Sequence, residues 1–136
     1  MGVVGLLSPG GSFAVKRAPY VLADLAVLVV FVAIGRSSHH HGLRVAGVIS
    51  TLWPFVVGLA VAWVLLRRRR RRGDAPRDTA LVVVVTVTLG MILRVVAGQG
   101  TAVAFIIVAL AFLSLMMGGW RLVVTFARRR HALARR

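Results

Sequence analysis

Residues 79–123 read TALVVVVTVTLGMILRVVAGQGTAVAFIIVALAFLSLMMGGWRLV. Residues 79–98 are apolar apart from Arg94, Gly98-Gln99-Gly100-Thr101 makes a short break, and residues 101–123 are apolar down to Trp120-Arg121. Two apolar runs of this length on either side of a glycine-bounded turn predict a helical hairpin that crosses a membrane twice. The upstream sequence repeats the pattern, with one run over about 19–35 and another over about 43–66. The prediction is an all-α fold, a four-helix transmembrane bundle made of two helical hairpins.

Composition points the same way. Of 136 residues 59% are hydrophobic, and the mean hydropathy is +0.89. A soluble domain of this size has too little interior to hide that much apolar surface, so its solvent must be lipid. The chain has no cysteine and no glutamate; its three acids are Asp24, Asp74 and Asp78, and Lys16 is the one lysine among 18 basic residues. A net charge of +15 would suggest nucleic acid in a soluble protein. Here the bases flank apolar spans, where they act as topology signals and lipid-phosphate contacts, so no nucleic-acid partner is expected.

Residues 1–18 hold an apolar start too short to span, then Ser8-Pro9-Gly10-Gly11-Ser12, and end in Lys16-Arg17 and Ala18. They read as a mobile tail, and no signal peptide is indicated. Pro19 suits a first helical position, because its missing N–H has no intrahelical partner there. Asp24 then lies about 7 Å into the first span. Arg36–Gly42 is a polar loop containing His39-His40-His41. Trp53-Pro54 falls near the middle of the second span, about 15 Å from its start. Proline there leaves the carbonyl of Ser50 without its helical partner and predicts a kink. Residues 67–78 form a hydrophilic loop that opens with six consecutive arginines. Asp78 or Thr79 is suited to cap the third span. Residues 124–136 form a basic tail.

The loop after span two and the tail after span four are strongly basic and lie on one side by parity. The positive-inside rule therefore predicts that both, and the N-terminus, are cytoplasmic. Arg36 and Arg44 oppose the trend, but two arginines do not outweigh the seven of the central loop.

Few residues are equipped for chemistry. Asp24 is the one acid inside a span. Aspartate at a helix centre costs roughly 2.5–3.5 kcal/mol on insertion scales, and less near an interface. Asp24 is either a proton carrier or a bundle-facing partner for Arg121, which enters the same leaflet from span four, or for Lys16 or Arg17. Arg94 lies about 22 Å from the start of span three, in the outer leaflet, where this topology places no acid. It either snorkels to headgroups or binds backbone carbonyls such as that of Ser50, Gln99, or an anion. In the second case Arg36, Arg94, Gln99 and the histidine loop, including His39, form an anion-binding vestibule. The three adjacent histidines cannot share one helical face and lack a fourth ligand, so no metal site is predicted. Gly58, Ala62, Gly90, Gly98 and Ala102 are small enough to permit close helix approach. There is no Ser/His/Asp arrangement and no phosphate-binding glycine loop, so neither an enzyme nor a cofactor is expected.

The combination of Asp24, residues 30–39 (VFVAIGRSSH), Leu52-Trp53-Pro54-Phe55, residues 89–102 (LGMILRVVAGQGTA), Phe105 and Gly119-Trp120-Arg121 resembles a family of short bacterial membrane proteins, domain of unknown function 3054. The likeness covers about residues 20–122. It implies a four-span integral membrane protein and no particular activity; the expected location is the bacterial inner (cytoplasmic) membrane. His40, His41 and the arginine run look like local departures from the family pattern. The expected role is a non-enzymatic lipid- or partner-binding membrane subunit. Its partners would be anionic lipids, a second copy of the chain or another membrane protein. The alternative is a small proton-linked transporter or channel, with Asp24 titrating and an outer arginine site for the anion.

Overall fold

The computed structural model describes residues 11–38 and 44–134. These form four α-helices, α1 (Gly11–Ser38), α2 (Val45–Arg68), α3 (Pro76–Val96) and α4 (Val103–Leu133). Each is long and apolar enough to cross a membrane. The protein is a multi-pass membrane protein whose spans pack as an all-helical bundle. Each helix packs on its two neighbours in the order α1, α2, α3, α4 and back to α1, with the most extensive contact between α2 and α3. Among the described residues neither diagonal pair touches through the backbone. The bundle is thus a four-sided ring with two ends. One, the arginine-loop end, holds the α2–α3 loop; the other, the glycine-turn end, holds the α3–α4 turn.

α1 and α4 overrun the spans read from the sequence, and α2 and α3 are shifted by two or three residues. α1 begins at Gly11, so Pro19 is an interior residue and not a first-turn one. Residues 11–18 therefore extend the first helix. α1 also runs on through Arg36, which puts that side chain on a helix and not in a loop. α4 continues past Val123 to Leu133. Its 31 residues cover about 46 Å at the α-helical rise, against a hydrocarbon thickness of about 30 Å. Residues 1–10, His39, His40 and His41 lie outside the described residues.

Packing explains the α2–α3 contact. Lipid tails are as apolar as leucine, so spans associate through close fit and internal polar bonds. A Cβ on Gly58 would stand 2.7 Å from the Thr86 carbonyl oxygen, and one on Gly90 would stand 2.5 Å from the Phe55 ring. Gly58, Ala62 and Gly90 are all buried. Gly98 and Ala102, by contrast, are exposed, and Gly98 serves the turn. Nearer the glycine-turn end an aromatic cluster centres on Phe31. Its ring lies 6.0 Å from Phe55, 5.8 Å from Phe105 and 5.4 Å from Phe112, which joins α1, α2 and α4.

Both α2 and α3 end in the same capping geometry. After α3, Gln99 N–H donates to the Arg94 carbonyl (2.9 Å) and Gly98 N–H to that of Val95 (3.0 Å), with Gly98 at φ +70°. This is a Schellman motif, and glycine is its preferred residue at the left-handed position. After α2, Arg71 N–H donates to the Leu66 carbonyl (2.9 Å) and Arg70 N–H to that of Arg67 (3.0 Å). Here an arginine, Arg70, takes the left-handed position at φ +53°. α3 starts with Pro76 at its head and Ala75 as N-cap, without a side-chain cap. Asp78 and Thr79 sit inside the first turn and do not cap it.

Candidate functional site

The charged groups inside the bundle gather at its two ends, with the buried Thr86 on α3 between them. At the arginine-loop end, Asp24 on α1 is 0% exposed and Arg121 on α4 is 4% exposed. The two meet as a bidentate pair, Nη1 to Oδ1 and Nη2 to Oδ2, both at 2.8 Å. Each carboxylate oxygen accepts one more bond, Oδ2 from the Trp63 indole N–H and Oδ1 from that of Trp120, both at 3.2 Å. Arg121 gives its Nε–H to the Gly73 carbonyl (2.9 Å) and a second Nη1 bond to the Met117 carbonyl (2.9 Å). Its guanidinium also lies 4.6 Å from the Trp120 ring centroid. Two charges leave water at a cost of several kcal/mol each, which is offset only when geometry is good and the remaining donors and acceptors are used. This pair meets both conditions, and it ties α1, α2, α4 and the arginine loop together.

Gly73 extends the lock. Its N–H donates to Asp78 Oδ2 (3.2 Å), while Arg71 donates to Asp78 Oδ1 (2.9 Å). Its φ is +86°, and a Cβ there would stand 2.5 Å from the Trp63 ring. Only glycine meets both the backbone and the space requirement. The backbone of one buried residue, Gly73, thus joins the Asp24–Arg121 pair to the Asp78–Arg71 pair through its N–H and its carbonyl.

At the glycine-turn end the chemistry is the reverse. A cleft of about 430 Å³ opens between α1, α2 and the α3–α4 turn. Arg36, Ser50, Thr51, Arg94 and Gln99 supply its polar lining, and Phe31, Val32 and Phe105 its apolar wall. No acid lines it. Arg36 donates to the Thr51 hydroxyl at 3.3 Å and lies against Gly47, where any Cβ would collide with the guanidinium. The Arg94 guanidinium lies 5.0 Å from the Phe105 ring centroid, and its Nη2 reaches the Gly100 carbonyl at 3.5 Å. That distance is at the outer limit of a hydrogen bond. Arg94 Nε is buried without a hydrogen-bond partner.

The Ser50 carbonyl, freed by Pro54, accepts from Gln99 Nε2 at 2.8 Å. It does not bind Arg94. The Ser50 and Thr51 hydroxyls both turn back to the Gly47 carbonyl, at 2.9 and 3.0 Å, so neither repairs the break at Pro54. Pro54 is buried, and α2 remains helical through it. Trp53 is 40% exposed and does not line the cleft.

Of the residues singled out in the sequence, Asp24 and Arg121 come together at one end, and Arg36, Arg94 and Gln99 at the other. Trp63, Gly73 and Trp120 were missed as parts of the lock. The signal was present: a buried indole N–H needs an acceptor, and both tryptophans fall near the depth of Asp24. Two more clefts, of about 490 and 460 Å³, flank α4 at the arginine-loop end, but Asp74 lines both beside Arg121 and Arg129. Among the described residues no group of three His, Cys, Asp or Glu side chains is placed to hold a metal ion.

No curated protein matches the chain, and no solved structure does. The family described as Protein of unknown function (DUF3054) matches residues 21–124, which takes in both ends of the bundle and everything between them. On that match the chain belongs to the DUF3054 family.

Proposed function

We propose that this protein is a non-enzymatic binding subunit of the bacterial cytoplasmic membrane. The arginine loop and both termini face the cytoplasm, and the glycine turn faces outward. One observation carries the reading. Asp24, the one acid on α1, is held by two arginine N–H groups and two indole N–H groups, while the arginines at the opposite end share a cleft with no acid. A carboxylate whose acceptor positions are all taken by the chain's own donors has none left for a substrate. An acid-free cleft with two guanidiniums is a receptor for negative charge. The orientation is supported by the seven arginines of residues 67–77 against Arg36 and Arg44.

The deciding experiment is proton-driven flux in liposomes for wild type and Asp24→Asn, with folding checked by circular dichroism. The reading expects no flux that depends on Asp24. Proton-linked flux lost in a folded Asp24→Asn protein would replace it with a transporter. Reporter fusions at Arg136 and in the 39–41 loop test orientation separately. They should report opposite sides, and the same side would sink the topology.

A further inference from the structure

We infer that the cleft at the glycine-turn end is a binding site for a phosphate oxyanion, with an apolar wall suited to the hydrocarbon of a phospholipid. The inference rests on the binding-subunit reading above and names the ligand class of its site. Two guanidiniums reach the cleft from different helices, Arg36 from α1 and Arg94 from α3. Each is a planar fork that matches two oxygens. A carboxylate offers one pair of oxygens and satisfies one fork. A phosphate diester also carries two charged oxygens, but its tetrahedral centre splays them out of one plane beside the ester oxygens, so that each fork meets its own oxygen.

The protein alone leaves Arg94 underused. Its hydrogen-bond acceptor, the Gly100 carbonyl, is 3.5 Å away, its Nε is buried without a partner, and its charge is stabilised by the face of Phe105. A side chain that only snorkelled would carry its head group out to the lipid–water boundary. Instead the guanidinium is held inward over Phe105, facing the same cleft as Arg36. The acids of the chain are out of reach of the site. Asp24 and Asp78 are committed at the other end, and Asp74 lines the clefts there. The negative charge must therefore come from outside the chain. Phe31, Val32 and Phe105 continue the cleft as an apolar wall, as a site for the headgroup and first methylenes of an amphiphile requires. The volume of about 430 Å³ is ample for a phosphate with its glycerol.

The test uses the full chain in nanodiscs of phosphatidylcholine, titrated with phosphatidylglycerol or with inorganic phosphate. Retained lipid is read by native mass spectrometry, and Tm is read in parallel. Wild type should retain phosphatidylglycerol over phosphatidylcholine. Arg94→Ala should weaken that retention about tenfold to a hundredfold, the loss of a hydrogen bond to a charged partner converted to affinity. Arg36→Lys and Arg94→Lys keep the charge and guard against misfolding. They should fall between wild type and Arg94→Ala, because lysine cannot form the fork.

Protection by inorganic phosphate, lost in Arg94→Ala, supports the same site with a free anion as its source. Equal retention of the two lipids by wild type, or unchanged phosphatidylglycerol retention in folded variants with phosphate inert, overturns the inference. Such a failure leaves the binding-subunit reading standing, since that reading turns on flux through Asp24. Asp24-dependent flux would sink that reading whatever lipid is retained.

Discussion

The two ends of this bundle carry the same residue type to opposite effect. At the arginine-loop end Arg121 meets an acid, two backbone carbonyls and an indole face. At the glycine-turn end Arg36 and Arg94 line a cleft with hydroxyls, an amide and phenyl rings, and no acid. An arginine inside a membrane is expensive in either place. The first end meets that cost with an acid of the chain itself, and the second, on the reading proposed above, draws on an anion from elsewhere. The contrast teaches that an intramembrane charge becomes interpretable once its partners are counted, and that the count separates a structural ion pair from a receptive site.

Breaking the lock should have the largest effect. Arg121→Met leaves Asp24 buried and unpaired, and should lower the unfolding free energy by about 3–5 kcal/mol. The double variant Asp24→Leu/Arg121→Met should recover part of that loss, because an apolar pair needs no counter-charge, while the Trp63 and Trp120 N–H groups and the Gly73 carbonyl still lose their partners. Denaturant titration in mixed micelles gives both numbers, and additive losses would show that the two residues are not coupled. Gly73→Ala should cost about 1–3 kcal/mol, since it forces a Cβ into Trp63 at a positive φ. At the other end, Gln99→Ala removes the donor from the Ser50 carbonyl and should cost about 1 kcal/mol. A loss as large as that of Gly73→Ala would mean the glycine turn is as tightly built as the lock. The smallest change should be a gain. Arg70→Gly relieves a left-handed arginine and should stabilise by about 0.5 kcal/mol, read as a small rise in Tm. A fall would mean that the Arg70 side chain contributes a contact worth more than its backbone strain.

Much of this was legible in the chain, for identifiable reasons. Four apolar runs separated by arginines or glycines specify four spans, because lipid demands uninterrupted helices. Depth alone offered Arg121, beside Lys16 and Arg17, as a partner for Asp24, since all lie near the same interface. Pro54 pointed to a free Ser50 carbonyl, because the missing N–H follows from covalent structure. Its occupant was not legible. Arg94 was one candidate donor, yet the Schellman turn carries Gln99 across to α2, and no local pattern encodes that reach. Gly73 was hidden in a different way. Its N–H, its carbonyl and its lack of a side chain each serve another element, and only the folded loop brings those elements together. The ends of α1 and α4 were cut short because basic residues and proline were read as stops. Arginine is a good helix former, and its charge near the end of α4 is favourable to the helix dipole.

The most direct test of the account is a single set of melting curves, with and without phosphatidylglycerol, for wild type, Asp24→Asn and Arg94→Lys. The account predicts a dissociation. Asp24→Asn melts well below wild type and keeps the lipid-dependent rise, whereas Arg94→Lys melts near wild type and loses most of it. The reverse pattern, with lipid response lost at Asp24 and retained at Arg94, would contradict the division of the bundle into a structural end and a receptive one.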